Sequence, residues 1–115
     1  MPSLFEVTAG SLVGTTNGGT VTQATNKATT VISNTESGQI TMNNAALADA
    51  AEVSFTVTNS KVAATDVVVA CHGSAGTAGA YIVSANSIAA GSFKITVSNV
   101  SGGSLSEAIV INFVA

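Results

Sequence analysis

The chain has 115 residues, which is enough for one domain that buries a core without disulfide staples. Only 8% of the residues are charged, the formal net charge is -3, and there are three lysines and no arginine. This balance excludes the basic patch that nucleic-acid binding requires and disfavours an anionic membrane surface. Hydrophobic residues make up 46% of the chain and Ser, Thr and Asn about a third, so we expect a folded β protein.

The first 18 residues differ from the rest of the chain. Residues 3–9 alternate apolar and polar side chains as a short strand does, and Asn17-Gly18-Gly19 predicts a flexible joint. We therefore expect an extended N-terminal arm over residues 1–18 and one domain over residues 19–115. The alternative is that the arm folds back as an edge strand of its own domain. The apolar side chains of the arm are the candidate protein-interface residues: Leu4, Phe5, Val7, Leu12 and Val13.

From Thr20 onwards, strand patterns alternate with turn signals. The candidate strands are 20–24, 28–32, 38–43, 53–59, 66–72, 80–84, 93–98 and 107–114. In the clearest of them, Val53, Phe55 and Val57 face inward and the residues between them face outward. Residues 66–72 are almost continuously apolar and predict a central strand that is covered on both faces. The pattern predicts an all-β fold, an antiparallel β-sandwich of seven or eight strands with jelly-roll or immunoglobulin-like topology.

The connections have their own signals. Several strands end in an asparagine, as at Asn34, Asn59 and Asn99, and asparagine favours turns because its side chain bonds the nearby backbone. Residues 44–51 are rich in Ala and can form one helical turn. The glycine-rich segment 73–79 lacks the lysine and the following helix of a phosphate loop, so it predicts a hairpin loop.

No set of residues predicts catalysis. Cys71 lies in an apolar run and is expected to be a buried, unreactive core residue, and His72 next to it points to the opposite face of the strand. Asp66 and Glu107 are expected to be solvated residues at strand ends. Tyr81 is expected in the core, although it is also the one residue whose ring and hydroxyl could contact a sugar. We expect no catalytic residue, no metal and no cofactor, and therefore no enzyme.

A set of spaced phrases then carries a family resemblance. They are GTVTQATNKATTV at 19–31, SGQITMNNAALA at 37–48, SFTVTNSKVAATD at 54–66, and AGSFKITV at 90–97 with GSLSEAIVINF at 103–113. The chain resembles a module of tailed-bacteriophage and prophage structural proteins, which occurs as small virion proteins and as terminal domains of fibres and spikes. The resemblance covers residues 19 to 114 and includes no catalytic motif.

The resemblance implies a virion structural protein. Because the module stands nearly alone in this chain, we expect a decoration (cement) protein on the capsid exterior that binds the major capsid protein and forms a homotrimer. The alternative is a tail-fibre or spike tip domain that binds host cell-surface carbohydrate. No nucleic-acid or membrane partner is expected.

Overall fold

The computed structural model describes residues 18–115. The predicted strand at 3–9 and the candidate interface residues Leu4, Phe5, Val7, Leu12 and Val13 lie outside the described residues. The described part contains no helix. Its strands are β1 (Gly19–Thr22), β2 (Val31–Ile32), β3 (Ser37–Thr41), β4 (Glu52–Thr58), β5 (Val69–Ser74), β6 (Tyr81–Ala89), β7 (Ser92–Asn99) and β8 (Val110–Val114).

The strands form two four-stranded sheets, and the predicted all-β sandwich is confirmed. Sheet A has the order β1-β3-β8-β5 and sheet B the order β2-β4-β7-β6. Both sheets are mixed rather than purely antiparallel, because β1 pairs parallel with β3 and β2 pairs parallel with β4. The first four strands alternate between the sheets, so each sheet receives two strands that run in the same direction.

The strand registers define two ends of the sandwich. The lower end carries Gly18, the β2–β3, β4–β5 and β6–β7 connections, and the last residue, whose amide donates to the Glu36 carbonyl at 2.8 Å. The upper end carries the four other connections, joined by a bridge between Leu47 and Leu105 and by a 2.8 Å bond from the Val100 amide to the Ala80 carbonyl.

The core lies between the inward faces of the two sheets. In β4, Phe55 and Val57 are buried and Val53 is half-buried, as the alternation predicts. The Phe93 and Phe113 rings meet across the sheets with centroids 5.4 Å apart. The other fully buried apolar side chains on β3, β7 and β8 and their ends are Ile40, Met42, Ile95, Val97, Ile109 and Ile111.

The prediction for residues 66–72 is wrong. Among the described strands β5 pairs with β8 alone, so it is an edge strand of sheet A and not a central one. Its outward side chains Val69 and Cys71 are exposed, Val69 at 58%, and Val67 in the connection just before the strand is 81% exposed. The expectation that Cys71 is a buried core residue is therefore also wrong. His72 does point to the opposite face, where it is half-buried.

Three connections also differ from expectation. Residues 75–80 join β5 in sheet A to β6 in sheet B, so they cross between sheets instead of closing a hairpin. Residues 44–51 contain an isolated bridge and a turn but no helical turn. β8 begins at Val110, so Glu107 lies in the preceding connection and not in the strand.

The expected asparagine turns are confirmed at Asn59 and Asn99 but not at Asn34, whose Oδ1 accepts from the distant Ser60 amide at 2.9 Å. The Oδ1 atom of Asn59 accepts from the Lys61 amide and that of Asn99 from the Ser101 amide, both at 2.9 Å. Asn26 and Asn43 make the same bond to the amide two residues on. Asn59 and Asn99 are fully buried, so these turns are held inside the structure and not only on its surface.

Candidate functional site

Four features that sequence analysis treats separately meet at the upper end of the sandwich. His72 lies on β5, Tyr81 begins β6, Glu107 precedes β8, and the glycine-rich loop runs between the first two. Together, residues 72–76, 78, 79 and 81 line a shallow open pocket of about 240 Å³. This is below the 300 Å³ or so at which ordinary small-molecule sites begin.

Glu107 is the centre of this group. One carboxylate oxygen accepts from the Thr77 amide at 2.9 Å and from the Tyr81 hydroxyl at 2.7 Å, and the other accepts from the Thr77 hydroxyl at 2.8 Å. The hydrogen bond from Tyr81, followed by those from Thr77, holds the pKa of Glu107 below its ordinary value. Glu107 is therefore held by specific partners, which its sequence position does not predict.

Tyr81 and His72 complete the group. The Tyr81 side chain is buried as expected, and burial, with the hydrogen bond to Glu107 as a second cause, raises its pKa well above the ordinary value. The His72 ring meets the Tyr81 ring edge-on with centroids 5.5 Å apart. The Nε2 atom of His72 faces the carbonyl oxygens of Ser74 at 3.1 Å and Ala75 at 2.6 Å. Carbonyls only accept, so Nε2 carries the proton.

These contacts form a structural clamp around Glu107. His72 directs its Nε2–H at two backbone carbonyls, and both oxygens of Glu107 accept hydrogen bonds from Thr77 and Tyr81. Gly76 adds to the clamp: its φ is +73°, and a Cβ there would lie 2.7 Å from Ile109 Cγ2 and 2.9 Å from Glu107 Oε1. The group fixes the crossing of the chain from sheet A to sheet B.

A buried polar cluster around Gln23 and Lys27, which no sequence pattern predicts, lies beside this clamp. The Nε2 atom of Gln23 donates to the carbonyls of Lys27 at 3.0 Å and Thr29 at 2.9 Å, and its Oε1 accepts from the Asn43 amide at 3.1 Å. The Nζ atom of Lys27 donates to the carbonyls of Asn43 and Glu107, the latter at 2.7 Å. Gln23 and Lys27 thus join the ends of β1, β3 and the connection before β8.

Lys27 is unusual because its side chain is only 5% exposed. Burial lowers the pKa of its amine, and the negative charge of Glu107 opposes this shift. The sequence around it, Gln23-Ala-Thr-Asn-Lys27, has the composition of an exposed polar turn. No periodicity in that stretch marks either residue as buried.

A different kind of surface lies on the outer face of sheet A. Val69 and Cys71 point outward along β5, Val114 lies directly across from Val69 on β8, and the exposed Val67 lies just before β5. Val67, Val69 and Val114 are 81%, 58% and 42% exposed, and Cys71 is exposed as well. We call these four residues the β5 stripe. An apolar stripe on an unpaired strand edge is a surface that proteins usually cover.

Over residues 18–115, no group of three or more His, Cys, Asp or Glu could hold a metal ion. The same residues include no helix that is long and apolar enough to cross a membrane. Comparisons of the chain with protein-family models, with curated proteins and with solved structures find no match.

Proposed function

We propose that the chain is a virion structural protein, a decoration protein that binds the major capsid protein on the capsid exterior and works as a homotrimer. In this function the molecule acts by association with other protein chains, without a cofactor and without a catalytic step. The observation that carries the proposal is the β5 stripe, an exposed apolar surface on the unpaired edge of a sheet.

The residues of the phage resemblance support this proposal because they build the framework of the fold. The stretch at 19–31 contains β1 and both Gln23 and Lys27, and the stretch at 37–48 contains β3 and Asn43. The stretches at 54–66, 90–97 and 103–113 include most of β4, β7 and β8.

The use of polar side chains also supports association rather than chemistry. The buried asparagine side chains form hydrogen bonds to the backbone. Asn59 donates to the Thr35 carbonyl at 2.7 Å, and Asn99 donates to the carbonyls of Leu47 and Gly103, both at 2.8 Å. Such bonds hold connections in place. The β5 stripe, by contrast, is apolar surface that is available for a partner.

The tail-fibre alternative has less support from the residues. Carbohydrate sites use exposed aromatic faces, and Tyr81 is the one tyrosine of a chain without tryptophan. Its side chain is buried, its ring packs against His72, and its hydroxyl is engaged by Glu107.

The experiment is a count of copies per particle in purified virions of a phage whose genome encodes this protein, by quantitative mass spectrometry against the major capsid protein. A decoration protein is expected at hundreds of copies, in fixed proportion to the capsid protein. A few to a few dozen copies would identify a tail component instead, and absence from the particle would refute both functions.

A further inference from the structure

We propose that residues 75–79, which we call the crossing loop, form an acid-sensitive switch. The loop is closed while the Glu107 side chain is a carboxylate, and it opens when that carboxylate takes up a proton, while both sheets stay folded. The open state uncovers Ile109 and Tyr81 at the upper end of the sandwich. The inference concerns the single chain and does not rest on the proposed function.

The crossing loop has few contacts of its own that would hold it closed. All five of its residues are exposed, so it contributes no side chain to the core. Among the described residues, its backbone–backbone hydrogen bond is the one from the Ala80 amide to the Thr77 carbonyl at 3.3 Å. Ala75, Gly76 and Gly79 have left-handed φ angles, and this conformation is strained for alanine. Segments with so few buried contacts open locally at low cost.

Side chains from other elements supply the contacts that close the loop. The Glu107 carboxylate, in the connection before β8, accepts from the Thr77 amide at 2.9 Å and from the Thr77 hydroxyl at 2.8 Å. The Tyr81 hydroxyl donates to the same carboxylate at 2.7 Å and so fixes its position. On β5, the Nε2 atom of His72 donates to the Ala75 carbonyl at 2.6 Å.

Protonation of Glu107 weakens these contacts for a chemical reason. Hydrogen bonds to an ionised acceptor are roughly twice as strong as those between neutral groups, and a protonated carboxyl also carries a donor on one oxygen. The hydroxyls of Thr77 and Tyr81 can rotate and accept from that donor. The Thr77 amide can only donate, so it is the contact that loses most.

The groups around the Glu107 carboxylate determine the direction of the pH effect. The hydrogen bond from Tyr81 lowers the pKa of Glu107 most, the bonds from Thr77 come next, and the charge of His72 has a smaller effect of the same sign. The ammonium of Lys27 faces the residue from the other side and donates to its carbonyl at 2.7 Å. Because the closed state holds the carboxylate, the loop is fully closed above the ordinary value of 4.5 and opens as the pH falls through the lowered pKa.

The loop can open without the loss of either sheet. The pairing of β5 with β8 and of β6 with β7 involves residues outside the loop. Gly76 lies directly against the core, because a Cβ there would be 2.7 Å from Ile109 Cγ2. Ile109 is 1% exposed and Tyr81 is 9% exposed, so movement of the loop brings both into contact with solvent.

The first test is amide hydrogen exchange, measured by NMR on the intact chain from pH 7 to pH 3. The Thr77 amide reports the loop, and the Ile95 amide in the centre of sheet B reports global unfolding. We expect the Thr77 protection factor to be constant above pH 4.5 and to fall below it by no more than about tenfold per pH unit, since one proton is taken up. The Ile95 protection factor should not follow. Parallel loss at both amides, or no loss at Thr77, would overturn the proposal.

The second test changes Glu107 itself. Glu107→Gln removes the charge at every pH, so we expect the Thr77 protection factor at pH 7 to fall about tenfold and to show no further dependence on acid. Glu52→Gln, at an exposed glutamate of β4, is the matched control and should behave as the wild type. Protection of the Thr77 amide in Glu107→Gln equal to that in the wild type would refute the role of the carboxylate. The Ile95 amide shows whether either variant has lost its fold.

A third variant identifies the group that titrates. Tyr81→Phe keeps the carboxylate but removes the hydrogen bond that lowers its pKa most. The loss of protection at Thr77 is therefore expected to begin at a higher pH than in the wild type. A midpoint that Tyr81→Phe leaves unchanged would assign the transition to another group and overturn the proposal.

Discussion

At the scale of single residues, Glu107 links two parts of the molecule that sequence analysis treats separately. Its backbone carbonyl accepts from the buried ammonium of Lys27, and its carboxylate accepts from Thr77 and Tyr81. The residue therefore ties the end of β1 to the crossing between β5 and β6. Its neighbours in the sequence lie in a connection, where such a role is not expected.

We expect acid to reduce the stability that the Glu107 carboxylate contributes. The pKa of Glu107 is lower in the folded protein than its ordinary value of 4.5, so the folded state holds the carboxylate and the unfolded state takes up the proton first. The stability from this group is fully present above pH 4.5 and is lost as the pH falls through the folded pKa.

We therefore expect Glu107→Gln to be less stable than the wild type at pH 7 and to lose less stability on acidification. The measurement is the melting temperature from pH 7 to pH 3 for both proteins. Glu52→Gln, at an exposed glutamate of β4, serves as the control. A Glu107→Gln profile parallel to that of the wild type would contradict this account.

The buried ammonium of Lys27 gives a second prediction at this scale. Lys27→Met removes the donor for the Asn43 and Glu107 carbonyls and leaves both without this partner, although it also removes the cost of burying a charge. We expect a net loss of about 1–2 kcal/mol in the free energy of unfolding by urea. Lys61→Met, at an exposed lysine, should change stability by less than about 0.5 kcal/mol. Equal stability of the Lys27→Met variant and the wild type would show that the cluster is dispensable.

Residue types predict some of these roles and not others. Asn59 and Asn99 are predictable as turn residues because asparagine has a local mechanism for bonding the backbone. The burial of Lys27 is not predictable, since it depends on carbonyls 16 and 80 residues away in the chain, and Gln23 likewise accepts from an amide 20 residues away. Glu107 acquires its partners in the same way, from a loop 30 residues earlier.

At the scale of elements, β5 shows where hydrophobic patterns mislead. A continuous apolar run usually indicates a strand covered on both faces, and residues 66–72 have such a run. In the structure the inward side chains Val68, Ala70 and His72 are only half-buried, while the outward ones belong to the β5 stripe. Composition records how apolar a strand is but not which neighbours cover it.

The crossing from β5 to β6 provides a matched pair of glycines. Gly76 and Gly79 both have a left-handed φ, +73° and +79°, so alanine is strained at either position. At Gly76 the added Cβ would also lie 2.7 Å from Ile109 Cγ2, whereas at Gly79 nothing lies within 4 Å.

We expect Gly79→Ala to cost about 1–2 kcal/mol, from the backbone alone, and Gly76→Ala to cost clearly more. Urea unfolding of the two variants measures the difference. Equal losses would mean that the loop shifts to admit the Cβ and that the clamp around Glu107 is soft.

At the scale of the whole molecule, the pattern of alternating side chains predicts the sandwich but not the order and direction in which its strands pair. Seven of the eight strand candidates need only local alternation, and Val53, Phe55 and Val57 are on the predicted face. The parallel pairs β1–β3 and β2–β4 follow from alternation of the chain between sheets, and periodicity carries no information about pairing order. No pattern places Leu4 or the other candidate interface residues, which lie before the described part.

Deletion of residues 2–13 tests the division between arm and domain. If the arm serves association, the truncated protein should keep its melting temperature within a few degrees, because it retains every contact described for residues 18–115. Its sedimentation coefficient should fall to that of a monomer. Unfolding of the truncated domain would instead show that the arm is an internal strand, as in the alternative reading of the sequence.

The position of β8 has a consequence for how the protein is made. This strand lies between β3 and β5 in sheet A, yet it is the last strand in the chain. During synthesis, β3 and β5 therefore cannot pair with β8 until residues 110–114 have left the ribosome, and sheet A cannot be completed before then. We expect folding of this domain to be completed only after β8 has left the ribosomal exit tunnel, and a nascent chain that ends before Val110 to expose strand edges to chaperones and proteases.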